Sequence, residues 1–282
     1  MLNLQEDINN FLFYLDKVRG YSSSSIVTYD NVLKELLLIG HYYKEDKEII
    51  LDITPLRLKN INNSKRTISK KLSAIRSFIK YMKEQQNLSI KLIGDSTIKV
   101  PQTLPKPIDE CLISEVLNYA SKKEHLIIAL LYGLGLRISE LSSLKLGDIS
   151  DEWIQIRGKG DKVRQLPLLK SLFNELEDYI KQETPTVFLL EKEGKKMTVN
   201  QIRYLFNKIF KKYGIKATPH QLRHSYATHM LHNGARISDV SELLGHASMV
   251  STQIYTKLSS NKKLNEYSMA HPLCQSNSTI KQ

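Results

Sequence analysis

Apolar residues recur three and four positions apart through residues 1–93, the period of a helix with one buried face. Leu4, Ile8, Phe11, Leu12 and Leu15 form the first stripe, and Gly20 closes it. The serine run at 22–25 offers a cap for a second helix, in which Tyr29, Val32, Leu33, Leu36 and Leu37 carry the pattern to Gly40. Residues 41–56 read as a connector with a short turn of helix around Ile49 to Leu51. Ser64 then opens a long helix whose buried face is Ile68, Leu72, Ile75, Ile79 and Met82. The whole stretch is read as helical.

The pattern breaks at residues 94–107. Pro101, Pro105 and Pro107 within seven positions disfavour helix and make an extended, semi-rigid linker. Beyond it, helices are expected over 109–121, over a nearly all-apolar 124–132 and over 138–144. An alternating pair of strands, Trp153 to Arg157 and Val163 to Pro167, brackets a Gly158-Lys-Gly-Asp161 turn. Helix resumes over 168–182, Val187 to Leu190 is a candidate third strand, and 199–213 is amphipathic. Thr218, Pro219 and Gln221 mark another helix start, with threonine as cap, proline at the first turn and glutamine closing a capping box. That helix stops at Gly234. A shorter one over 238–244 ends at Gly245, and a further one can start at Ser248. The stretch after Lys257 is polar, a short helix followed by disorder.

Charge sharpens the picture. The chain has a net charge of +12 and a sequence pI near 9.4, which points towards a polyanionic partner. The excess is split evenly between the two sides of residue 108. Residues 57–83 hold nine basic residues and no acidic one. Lys65, Arg66, Lys70, Lys71 and Arg76 on that helix are candidate contacts to a DNA backbone, with a membrane-surface helix as the weaker alternative. No signal peptide or membrane span is expected. Cys111 and Cys274 lie too far apart in sequence to suggest a disulfide or metal framework, so a reducing cytoplasm fits.

Candidate chemistry collects in the second half. His220 and Arg223 lie three apart in the first turn of a helix, where the dipole and free N–H groups favour an anion. His246 follows a glycine break and Tyr255 follows nine residues later. Together they suggest groups gathered around one phosphate. Arg137 follows a Gly-Leu-Gly turn; alone it reads equally well as a salt-bridge partner of Glu140. Lys159 at a hairpin tip is a place for a proton donor, although a turn lysine is usually inert. His220, His224, His229 and His232 do not set three imidazoles on one helical face, so no metal site is expected.

Taken in order, the stretches Leu131 to Leu141 (with Arg137 and Glu140), Gly158-Lys159-Gly-Asp-Lys162, His220-Gln-Leu-Arg223-His, Leu-Leu-Gly-His246 and Tyr255 resemble the signature boxes of the tyrosine recombinases. The Xer type is the closest in kind. This resemblance implies a mainly α fold with a small antiparallel β-sheet, arranged as a two-domain DNA clamp. A helical core DNA-binding domain would occupy residues 1–95, a linker 96–107, an α+β catalytic domain 108–270 and a flexible tail 271–282. It implies Arg137, Lys159, His220, Arg223, His246 and Tyr255 as catalytic residues, Glu140 as their support, and Lys162 as a further DNA contact. No cofactor is implied. Implied partners are duplex DNA with paired inverted sites, a homo- or hetero-tetramer on that DNA, and a DNA translocase as activator. The rival readings are a mobile-element integrase, a type IB topoisomerase-like enzyme and a DNA-binding relative without activity.

Overall fold

The computed structural model describes residues 3–45, 48–100, 106–158, 162–245 and 269–271. They fall into two units, residues 1–103 and residues 104–282.

In the first unit the stripes become α1 (Leu4–Lys17), α2 (Ser23–Ile39) and α4 (Lys65–Gln86), with α3 (Thr54–Lys59) between them. Asn3 caps α1 through its side chain, and the Ser64 hydroxyl accepts from the Thr67 N–H at 3.1 Å to start α4. Ile68, Leu72, Ile75, Phe78 and Met82 line the buried face of α4 against Phe11 of α1 and Leu33 and Leu36 of α2. Ile79 sits at the edge of that stripe, partly buried, and Phe78 takes the central place.

The wholly helical reading of residues 1–93 needs correction. Ile49 to Leu51 form no turn of helix. They lie in strand β2 (Glu48–Asp52), antiparallel to β1 (His41–Glu45) and parallel to β3 (Ile90–Ile93). The run is too short for a stable helix and rich in β-branched residues. A parallel partner requires a long crossover, here α3 and α4, so nothing local in sequence announces the pairing. Ile50, Leu51 and Ile90 are buried.

The second unit is built on α6 (Lys122–Gly133), buried at every residue from Leu126 to Gly133. That stretch has no solvent face and must be surrounded. Its neighbours are α5 (Glu110–Tyr119), α8 (Lys170–Glu183), α9 (Val199–Lys212) and α10 (Pro219–His232). The chain also forms α7 (Ile138–Ser143), the antiparallel hairpin β4 (Trp153–Arg157) and β5 (Val163–Pro167), and α11 (Ile237–Leu244).

Val187 to Leu190 is no strand. Phe188 makes one isolated bridge to Lys145, and the two-residue strands β6 (Glu191–Lys192) and β7 (Lys195–Lys196) follow it. The Glu191 carboxylate accepts from the N–H groups of Thr186, Val187 and Phe188 and so takes up donors a strand would have used; these bonds hold its pKa down at about 2. The helix expected from Ser248, the linker prolines Pro101 and Pro105, and the tail beyond His271 lie outside the described residues. Among the described residues no helix is long and apolar enough to cross a membrane.

Candidate active site

The break after α6 sets the first site residue. Gly135 takes a φ of +58°, a left-handed conformation suited to glycine, and a Cβ there would lie 2.5 Å from Cδ1 of Tyr226 on α10. The chain thus turns tightly against α10 and delivers Arg137 as the N-cap of α7. Three residues on, Glu140 closes a capping box by accepting from the Arg137 backbone N–H at 2.8 Å.

Glu140 is the hub. Its side chain is 3% exposed, and four N–H groups reach its two oxygens. Arg137 supplies the backbone N–H and a guanidinium N–H at 2.8 Å. Arg164 on β5 approaches in bidentate fashion, with both contacts at 2.9 Å. Arg223 on α10 adds an ion pair at 3.7 Å. Burial by itself would push the Glu140 carboxyl up; the hydrogen bonds from Arg164 and from the Arg137 N–H outweigh it and hold the carboxyl below its ordinary range.

Arg223 is buried, and two of its five guanidinium N–H groups are held by backbone carbonyls. It donates to the Gly135 carbonyl at 2.5 Å and to the carbonyl of Leu244, the last residue of α11. Burial, and then the neighbouring charge of Arg137, lower its pKa to about 10, so it stays a cation at neutral pH. Arg164 also donates through Nε to the Leu243 carbonyl at 2.9 Å. Two arginines therefore satisfy the terminal carbonyls of α11, just before Gly245 ends it with a φ of +64°.

Three permanent cations surround one carboxylate, leaving an excess of two positive charges. The Arg137 side chain is 44% exposed and has guanidinium N–H groups beyond the one Glu140 takes. That is a fixed, partly desolvated receptor for an anion with oxygen acceptors, such as a phosphodiester.

His220 stands exposed in the first turn of α10. Thr218 caps that turn, accepting from the Gln221 N–H at 3.1 Å, but the Gln221 side chain reaches the Lys106 carbonyl at 2.9 Å instead of completing a capping box. His220 and Arg223 share the first turn but not its environment, one facing solvent and the other the core. Lys159, His246 and Tyr255 lie outside the described residues. Lys162, three residues after the first of these, is exposed.

Arg164 was absent from the set read in the sequence, yet a signal exists. In the β4–β5 register Ile154 faces Leu166 and Ile156 faces Arg164. Both isoleucines are buried, so Arg164 occupies an inward strand position, where a charged side chain demands a buried counter-charge.

The remaining candidates separate. His229 is buried and hydrogen-bonds the Tyr132 hydroxyl at 2.8 Å, fastening α10 to α6; burial lowers its pKa. Among the described residues no group of His, Cys, Asp and Glu could hold a metal ion. On α4 of the first unit, Lys65, Arg66 and Lys70 are exposed. Lys71 pairs with Glu35 and donates to Asn60 at 2.6 Å, while Arg76 makes a bidentate contact with Asp95 through Nε at 2.9 Å and Nη2 at 2.7 Å. The unbroken basic stripe is therefore partly neutralised by acids from outside residues 57–83.

The sequence matches the phage integrase family over residues 108–262 and that family's N-terminal SAM-like domain over residues 8–86. It is 35% identical over 264 residues to the tyrosine recombinase XerA of Pyrococcus furiosus, with 90% of either chain covered. It is 34% identical to the tyrosine recombinase XerC of Rickettsia canadensis, with 96% of this chain and 98% of that one covered. The fold is shared with lambda integrase, solved as a tetramer bound to a Holliday junction. That likeness has a TM-score of 0.69 at 13% identity and covers 90% of this chain and 81% of that one.

Proposed function

The chain belongs to the phage integrase family of tyrosine-type site-specific recombinases, and from that premise we propose that it cuts and rejoins duplex DNA through a covalent link to Tyr255. Residues 1–95 bind DNA and residues 108–270 carry the chemistry. The phenolic oxygen of Tyr255 attacks a backbone phosphorus, the P–O5′ bond breaks, and a 3′-phosphotyrosyl link remains. His220 takes the tyrosine proton and Lys159 protonates the departing 5′-oxygen. The bond energy stays in the new ester, so rejoining by a 5′-hydroxyl requires no nucleotide.

The observation that carries this reading is the convergence of Arg137, Arg164 and Arg223 on Glu140. A pentacoordinate transition state gathers charge on the non-bridging oxygens, and preorganised guanidiniums meet that charge without reorganising. His246 adds a further hydrogen bond to the same phosphate. Two arginines supply the stabilisation that a divalent metal gives other phosphoryl-transfer sites.

The substrate is a duplex with paired inverted sites, synapsed by four protomers. The role proposed for this activity is chromosome dimer resolution with a DNA translocase as activator, with integration of a mobile element as the second reading. The test is incubation of the purified protein with nicked duplexes bearing candidate palindromic sites from the source genome, followed by denaturing electrophoresis. Wild type should give a covalent protein–DNA adduct and Tyr255→Phe should bind DNA without one. An adduct that survives Tyr255→Phe would show that the nucleophile is another residue.

A further inference from the structure

The fold, in contrast to the motifs, makes Arg164 a central residue of the site. We propose that Arg164 is a positioning residue for strand cleavage, acting through Glu140 to fix the guanidinium of Arg137. The inference rests on the function proposed above and adds a residue to it.

Three observations carry it. Arg164 is 14% exposed and gives its full fork to Glu140. Two of the four hydrogen bonds on that carboxylate come from Arg164 and the other two from Arg137. A carboxylate has about four acceptor positions, so the two arginines saturate it and fix its plane from opposite partners. Removing Arg164 would leave Glu140 buried with half its acceptors empty, held by Arg137 and the longer ion pair to Arg223 alone, and the Arg137 guanidinium would lose its fixed anchor.

The same side chain also holds the end of α11. Its Nε donates to the Leu243 carbonyl, and its Cδ and Nη1 lie 3.2 Å from where a Cβ on Gly245 would stand. Arg164 thus ties three separate parts of the chain together: the start of α7, strand β5 and the C-terminus of α11. Lysine cannot substitute, because a single ammonium cannot span both carboxylate oxygens and reach the helix carbonyl as well.

The decisive experiment compares wild type, Arg164→Met, Arg164→Lys, Glu140→Gln and the Glu140→Gln/Arg164→Met double variant on a nicked duplex that wild type converts to the adduct. It is repeated with a methylphosphonate at the scissile position, which removes the negative charge of that phosphate. Arg164→Met should bind the duplex within about twofold of wild type yet form the adduct ~10²-fold more slowly, the scale of a small misplacement of a catalytic group. The neutral phosphate should narrow that gap, because a misplaced guanidinium matters most opposite charge. Arg164→Lys should resemble Arg164→Met, and the double variant should be no slower than Glu140→Gln alone.

An Arg164→Met rate equal to wild type, independent and additive losses in the double variant, or a gap untouched by methylphosphonate would each overturn the inference. If Arg164→Met does not fold, Arg164→Lys and the double-variant comparison built on it decide the matter in the same way. A wild type that forms no adduct on any candidate duplex would defeat the proposed function itself, a result distinct from a selective failure at Arg164.

Discussion

The buried guanidinium of Arg223 donates to the carbonyl oxygen of Gly135. Residues 88 positions apart are thereby locked together at the turn that delivers Arg137. The last arginine of the site is thus anchored on the turn that places the first, and Glu140 completes the link between their side chains.

That turn gives the first prediction. Gly135→Ala would put a left-handed φ on an L-residue and a methyl group 2.5 Å from Tyr226 and 3.0 Å from Leu244. The strain and the overpacking together should lower stability by about 2 kcal/mol or more. A denaturant midpoint unchanged from wild type would contradict the close approach. Cleavage should fall further than stability, because Arg137 follows the turn.

Arg223→Lys should be far from conservative. A lysine cannot reach the carbonyls of Gly135 and Leu244 and the Glu140 carboxylate together. Adduct formation should drop ~10²–10³-fold, the cost of losing one preorganised donor. DNA affinity measured by gel shift should change little. Retention of more than a tenth of wild-type rate would argue that Arg223 is structural alone.

Titration of His271 predicts a pH dependence of stability. Its imidazole is fully buried and its Nε2 donates to the Gly133 carbonyl at 2.6 Å; burial lowers the pKa to about 4. The unfolded chain binds this proton near pH 6.5 and the folded chain only near 4, so stability is complete above the first value and falls as pH drops towards the second. The full effect is on the order of 3 kcal/mol. His271→Gln keeps a donor for Gly133 without titrating, so its denaturation midpoint should lose most of this slope between pH 7 and 4. A variant with the wild-type slope would assign the dependence elsewhere.

The cations of α4 should divide into two groups. Lys65→Ala and Arg66→Ala should each weaken DNA binding and reduce the slope of log affinity against log salt by about 1, with stability unchanged. Lys71→Ala should instead lower stability by ~1–3 kcal/mol, because it takes the cation from the half-buried Glu35 carboxylate and leaves the Asn60 side-chain oxygen with the Asn63 amide as its donor. Equal salt effects from all three substitutions would show that the intramolecular pairing does not hold Lys71 back from DNA.

Periodicity was sufficient to locate the long helices. The stripes of α1, α2 and α4, the apolar run of α6 after its charged first turn and the alternating hairpin of β4 and β5 each announce themselves within one segment, because 3.6- and 2-residue repeats are local properties. The glycine break before Arg137 and the threonine cap of α10 are local too. The three-stranded sheet of the first unit was not legible. Its middle strand is stabilised by residues about forty positions away on β3, and a short run of isoleucines suits several environments equally.

The site divides along the same line. In the sequence the helix start marks His220 and Arg223 as candidates, and the family resemblance adds Arg137 and Glu140. Only the tertiary structure decides that Glu140 serves Arg137 and Arg164 at once, that Arg223 is held by two distant carbonyls, and that Lys71 and Arg76 face carboxylates. The physical reason is desolvation. A buried charge must find its partner wherever the fold brings one, and that partner's distance along the chain is set by packing, not by any pattern a single segment can carry.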